Sequence, residues 1–210
     1  MWALIESGSI TEIYTRPTPI TIGDINYPKN IFELWSRAER EAIGLANVLE
    51  DNTNLKDKKY YTNTDVTYTV QTDVTINELD YTKVVMASYG TATAKAIADT
   101  LYTAQNETDG LGTEGEVRTT GLKTNYKAII NQQAGGLLQD TDWMVVRAAE
   151  GGTAVPSDIT TWRAAVRTKA NAMQVQIGNA ANVDALAALY VYNDDEPPVR
   201  PLGEFPILGA

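Results

Sequence analysis

"LLQDTDWMVVR", residues 137–147, sets an aspartate and a tryptophan against an apolar run, directly behind a predicted helix. How this stretch is read decides the C-terminal half of the chain. Asp142 beside Trp143 is either part of a site or the place where one packed segment turns into the next. Upstream, Leu122, Tyr126, Ile129, Ile130, Ala134 and Leu137 fall on one stripe, which predicts a helix over 120–138. Gly135 and Gly136 lie in its last turn, where they either fray it or admit close packing. On this reading Leu137 and Leu138 close the helix and Asp142 bonds free backbone amides in a turn. Trp143 then anchors an extended link to the next helix.

That next helix is the most regular element. Ile159, Trp162, Val166, Ala170, Met173 and Ile177, spaced 3, 4, 4, 3 and 4, make a continuous apolar seam over 159–177 and leave Arg163, Arg167 and Lys169 outside it. Ser157 or Asp158, behind Pro156, can act as its N-cap. The seam has two uses: an intrachain hairpin with 120–138, or a three-helix contact between copies. Asn182 caps a short final helix, and the proline-rich residues 193–210 read as an extended tail.

The N-terminal quarter reads as short strands. "WALIE" and "ITEIYT" flank the turn residues Ser7-Gly8-Ser9, although Ile10 and Ile13 break strict alternation. "ITIGDINYP" restarts the pattern with a turn at Gly23-Asp24. Ser36 and Glu39 have capping-box spacing, and Gly44 suits the position that ends the short helix between them. So short a helix must be docked by its apolar residues, Trp35 among them. Residues 51–59 form a polar loop, and "VTYTVQTDVTI" alternates with period two, a strand or hairpin with one polar face. Ala92, Ala96, Ile97, Leu101 and Ala104 recur at helical spacing and predict a helix within 82–105. The glycine-rich run 106–121 reads as a hinge. The expected fold class is α+β: a 1–50 module, a 51–110 region of strands and an Ala-rich helix, a 119–192 helical module and a 193–210 tail.

Composition removes whole classes of chemistry. There is no cysteine and no histidine, which excludes disulfides, thiolate and imidazole catalysis and nearly all zinc sites. A net charge of −10 without a Lys/Arg cluster argues against nucleic acid. No apolar run approaches the ~20 residues that span a bilayer, and "MWALIESGSI" lacks the basic start of a signal peptide. Residues 51–57 resemble a calcium loop but lack its central Gly and terminal Glu. Asp140/Asp142 and Asp194, Asp195 and Glu196 are the carboxylate groupings a glycosidase would need. Capping and solvation account for both more simply. No catalytic residue, cofactor or metal ligand is therefore assigned.

The order of helix, "LLQDTDWMVVRAAEGG", "VP" and "SDITTWRAAVRTKA" resembles a module of tailed-bacteriophage tail-fibre proteins and of tail-fibre assembly chaperones. Leu137, Leu138, Thr141, Asp142, Trp143, Pro156, Trp162, Arg163 and Arg167 carry the likeness; the family more often has Tyr at the Trp162 position. "ITIGDINYPKNIFELWSRAEREAIGL" is similar to the opening segment of many phage tail-associated proteins. The resemblance implies a structural component of the virion tail, made in the host cytoplasm and acting by assembly with other tail or fibre proteins. It also implies a homo-oligomer, with a trimer the expected form. Alternatives are a chaperone absent from the finished virion, a tail-borne glycan hydrolase and a capsid decoration protein. The interface candidates are Trp35, Asp142, Trp143, Ile159, Trp162, Val166, Met173 and Ile177.

Overall fold

The computed structural model describes residues 1–209, which form two compact units, one ending at Thr93 and the other beginning at Ala94. The fold is α+β, with a strand-rich first unit and helices dominating the second.

The first unit is built on a five-stranded sheet of order β2-β1-β5-β8-β7, comprising β1 (Trp2–Glu6), β2 (Ser9–Tyr14), β5 (Leu45–Asp51), β7 (Val66–Ile76) and β8 (Leu79–Tyr89). All neighbours run antiparallel except β5 and β8. Strands β3 (Ile20–Ile22) and β4 (Ile25–Tyr27) make a separate hairpin around Gly23-Asp24, and the two-residue strands β6 (Tyr61–Thr62) and β9 (Thr93–Ala94) pair with each other. The broken alternation of Ile10 and Ile13 has a local cause. The β1–β2 register shifts between Leu4 and Ile5, so Thr11 is the extra residue and both isoleucines reach the same face.

Each face of the sheet has its own core. Ala3, Ile5, Ala46, Val48, Val85 and Ala87 cluster on one side, with Ile10, Ile13, Val66 and Val70 against them. On the other, Leu4, Tyr14 and Leu45 pack with Ile20 and with Ile31 and Phe32 of α1 (Ile31–Leu34). Phe32 meets Trp2 and Tyr14 edge-on at 5.0 and 5.5 Å. Helix α2 (Arg37–Ala42) begins with the expected capping box, Ser36 and Glu39 each bonding the other's backbone N–H. The Ser36 hydroxyl, donating to the Glu39 carboxylate at 2.7 Å, and then the Ser36 N–H at 2.8 Å hold that carboxyl below its ordinary pKa.

Helix α2 ends at Gly44, which adopts φ +86°. A Cβ there would lie 2.6 Å from the Ile5 carbonyl oxygen, which is backbone and cannot swing aside. Gly44→Ala is therefore expected to cost about 2 kcal/mol. Urea denaturation followed by Trp2 and Trp35 fluorescence, in a background lacking Trp143 and Trp162, measures it.

One buried carboxylate finishes the sheet. Strand β8 pairs with β5 from Val84 to Ser88 and runs on toward Leu79 with β7 on one side and no strand on the other. There Glu41 of α2, itself buried, accepts from the N–H groups of Thr82 (3.0 Å) and Lys83 (3.4 Å). Its other oxygen faces Arg37 Nε at 3.4 Å. Arg37 in turn donates to the Asp80 carbonyl and lies over the Tyr81 ring.

Several expectations need correction. Residues 66–89 complete the sheet begun by 2–14 and 45–51, so the first unit extends past 50 to Thr93. The Ala-rich helix over 82–105 does not form. Tyr81 to Tyr89 are strand, where Val84 and Val85 favour extended backbone and β7 supplies an eleven-residue partner. The 106–121 run is not a hinge between halves, because it lies wholly inside the second unit.

That second unit opens with short pieces. They include β10 (Thr100–Leu101) paired with β11 (Val117–Thr119), and α3 (Ala104–Thr108), capped by Thr103 and Asn106. Three long or regular helices follow: α4 (Leu122–Ala149), α5 (Ser157–Asn179) and α6 (Val183–Ala188). The N-cap of α4 is Gly121, which has no side chain to offer its free amides. Segment 96–99 supplies the acceptors instead. Ala96 and Ile97 carbonyls take the N–H groups of Leu122 and Lys123, and Asp99 takes Gly121 N–H (2.7 Å) and Thr124 Oγ1 (2.9 Å). The Gly121 bond, then the Thr124 bond, lowers the Asp99 pKa. Its contribution is thus complete above the usual carboxylate range and lost as pH falls through the lowered value. A side chain at 121 would collide with the Ala98 backbone.

A helical hairpin and its outward face as candidate functional site

Residues 137–147 do not end a helix. Helix α4 runs without interruption through Leu137, Asp142 and Trp143 to Ala149. The reason is tertiary: α5 supplies a cation that rewards helical placement of Thr141 and Asp142. Arg163 is buried and donates to the Leu138 carbonyl (2.8 Å), to Thr141 Oγ1 and to Asp142 Oδ1 (2.6 Å). Thr141 Oγ1 itself donates to the same Leu138 carbonyl. One guanidinium fork therefore clasps one turn of α4.

Other pairs fix the direction. Asn131 meets Gln174 at 2.8 Å, while Asp142 meets Arg163, so the two helices run antiparallel. Between them lie Ile130 and Ala134 of α4 and Ile159, Val166, Ala170, Met173 and Ile177 of α5, all buried. The seam on α5 is thus spent inside the chain. It is not a surface through which three copies could meet, and the hairpin is the arrangement observed. Arg163 is also inside the seam rather than outside it, at 3, 4, 3 and 4 spacing with Val166, Ala170, Met173 and Ile177.

Neither Ser157 nor Asp158 caps α5. Pro156 occupies the N-cap and makes no side-chain capping bond. Asn182 does cap α6, accepting from Ala185 N–H at 2.8 Å. The tail, expected to be extended, folds back over its described residues 193–209. Leu202 is fully buried and its N–H donates to the Leu189 carbonyl, while Trp162 Nε1–H donates to the Pro206 carbonyl at 3.0 Å. Tyr192 and Arg200 both bond Glu204.

The interface candidates therefore separate. Trp35 belongs to the first unit, edge-on to Tyr27 at 5.8 Å, with Arg40 donating to its carbonyl. Ile159, Val166, Met173 and Ile177 are hairpin core. Trp162 is half-buried under the tail, and Asp142 is tied to Arg163. Trp143 anchors no link. It stands 55% exposed on the outer side of α4, with the Arg147 guanidinium 4.8 Å above its ring.

Trp143 is not the only exposed apolar residue of α4. Ile129, Leu137, Val145 and Val146 of the same helix are also exposed, and Gly135 and Gly136 have open space where a side chain would be. A helix that buries one narrow stripe and leaves this much apolar surface uncovered fits a contact surface. Sequence reasoning missed both halves of the feature. Arg163 was hidden because a cation on an apolar stripe reads as solvated. The signal was its register with Val166 and an Asp one position after a Thr on the facing helix.

No protein-family model, curated protein or solved structure matches the chain. Among the described residues, no helix is long and apolar enough to cross a membrane.

Proposed function

We propose that the chain is a structural component of a bacteriophage tail, as a fibre, fibre adaptor or peripheral baseplate protein. It works by protein–protein contact rather than by turnover. The observation that carries this reading is the outer face of α4, with Trp143, Ile129 and Val146 exposed on a helix whose inner side is fixed by the Arg163 clasp. The phage-tail resemblance adds support, because three of its residues, Thr141, Asp142 and Arg163, are the clasp itself. They hold the hairpin rigid, and a rigid helix presents its other face at low entropic cost.

Quantitative mass spectrometry of purified particles tests the proposal. The expected result is near-stoichiometric presence relative to known tail proteins. Absence from particles, with the chain bound to fibre protein in lysates, would replace it with the assembly-chaperone reading.

A further inference from the structure

The outer face of α4 has a symmetry in its sequence. Taking Gly136 as centre, Ile129 lies seven residues before and Trp143 seven after. Gln132 and Asp140 flank it at four, and Gln133 and Gln139 at three; all seven residues are exposed. Steps of three, four and seven return to one side of an α-helix, so the seven form a single surface. Its ends are apolar, with Ile129 42% and Trp143 55% exposed. Its middle is open, since a methyl group added at Gly135 or Gly136 would touch nothing within 4 Å.

We infer that this face is a self-association surface, on which two copies of the chain pair their α4 helices antiparallel about a two-fold axis at Gly136. The inference rests on the reading of the α4 face as an assembly surface and names its occupant. In a two-fold contact residue i meets j and j meets i. Centring the pair on 136 brings Ile129 to Trp143 of the second copy, Gln132 to Asp140 and Gln133 to Gln139, and sets glycine against glycine. Each meeting is complementary. An aliphatic side chain packs on an indole, an amide N–H donates to a carboxylate, two amides exchange bonds, and bare backbone lets the helices close. A parallel pairing would set Asp140 against Asp140 and forfeit the amide–carboxylate bonds.

Charge favours the same occupant. The whole chain carries −10, yet Asp140 is the sole ionisable residue among the seven. Asp142 beside them is neutralised by Arg163. Two copies can therefore meet here without confronting their net charge, most of which is screened beyond ~8 Å at physiological salt. From Ile129 to Trp143 the face is only ~21 Å long, so the contact is at the small end of specific interfaces and its affinity is modest.

The chain has no cysteine, so single cysteines report geometry cleanly. A disulfide requires Cα atoms within about 7 Å. Under mild oxidation at physiological salt, Gly136→Cys is expected to link to itself. Ile129→Cys and Trp143→Cys alone should not, but an equal mixture of the two should. Sedimentation equilibrium of the full chain should show a reversible dimer, weakened about tenfold or more by Gly136→Glu. Because position 136 is exposed and glycine is the poorest non-proline helix former, that variant should melt no lower than the parent. A monomer at about 0.5 mM would overturn the pairing, as would Ile129→Cys linking to itself faster than to Trp143→Cys. A monomeric chain that is still present in purified particles would sink this dimer and leave the tail reading standing.

Discussion

Arg163→Ala is expected to destabilise the second unit by about 4 kcal/mol, the scale of breaking a buried, hydrogen-bonded charge pair. Three bonds disappear together: to the Leu138 carbonyl, to Thr141 Oγ1 and to Asp142. Thr141 is left buried, opposite a cavity, and the α4 turn at 138–142 loses the contact that holds it helical. Most of this comes from the desolvated side of the fork rather than from the ion pair. The Asp142 side chain is 57% exposed, so Asp142→Asn should cost less than about 1 kcal/mol. Arg163→Lys should recover little, since an ammonium cannot span acceptors set out for a planar fork. Thermal or urea unfolding followed by Trp162 fluorescence, in a background lacking Trp2, Trp35 and Trp143, separates the three variants. Equal losses for Arg163→Ala and Asp142→Asn would show that the exposed ion pair, not the buried bonds, carries the clasp.

In the first unit, Glu41→Ala is expected to cost about 3 kcal/mol. The N–H groups of Thr82 and Lys83 lose their acceptor where β5 no longer reaches, and Arg37 loses its counter-charge. Glu41→Gln keeps one acceptor oxygen and should cost about half as much. The penalty is smaller but real, because an amide N–H in place of the carboxylate would confront the Arg37 side chain. Amide hydrogen exchange gives a local readout: Thr82 and Lys83 should lose protection in Glu41→Ala while Val84 and Val85, paired with β5, keep theirs. Unchanged exchange at 82 and 83 would remove Glu41 from the sheet's hydrogen bonding.

Much of this architecture is legible in local sequence, and the failures share a cause. The Ser36/Glu39 box, Gly44, the Gly23-Asp24 turn and the Asn182 cap were readable because each is decided within a few residues. The α5 seam was readable because its period is long and regular. What could not be read depends on partners far along the chain. Thr141-Asp142 looks like a helix stop until Arg163, more than twenty residues away, is set against it. Val84 to Ala87 pass as a helix until β5 and β7 flank them. The face of α4 was obscured by the same error, since a helix thought to end at Leu138 has no outer side at Trp143.

Glu41 and the first residue of β5 are separated by three positions, Ala42, Ile43 and Gly44. This short span acts as a ruler. It sets how far the carboxylate stands from the end of β5, and hence which two amides of β8 it meets. One residue inserted between Ala42 and Gly44 would carry the carboxylate past Thr82 and Lys83 even if both elements formed perfectly. The polar loop at 52–59, exposed throughout, measures nothing of this kind. Tolerance to length change should therefore be much lower between Glu41 and Leu45 than at that loop, which makes 52–59 the natural place to graft a peptide tag.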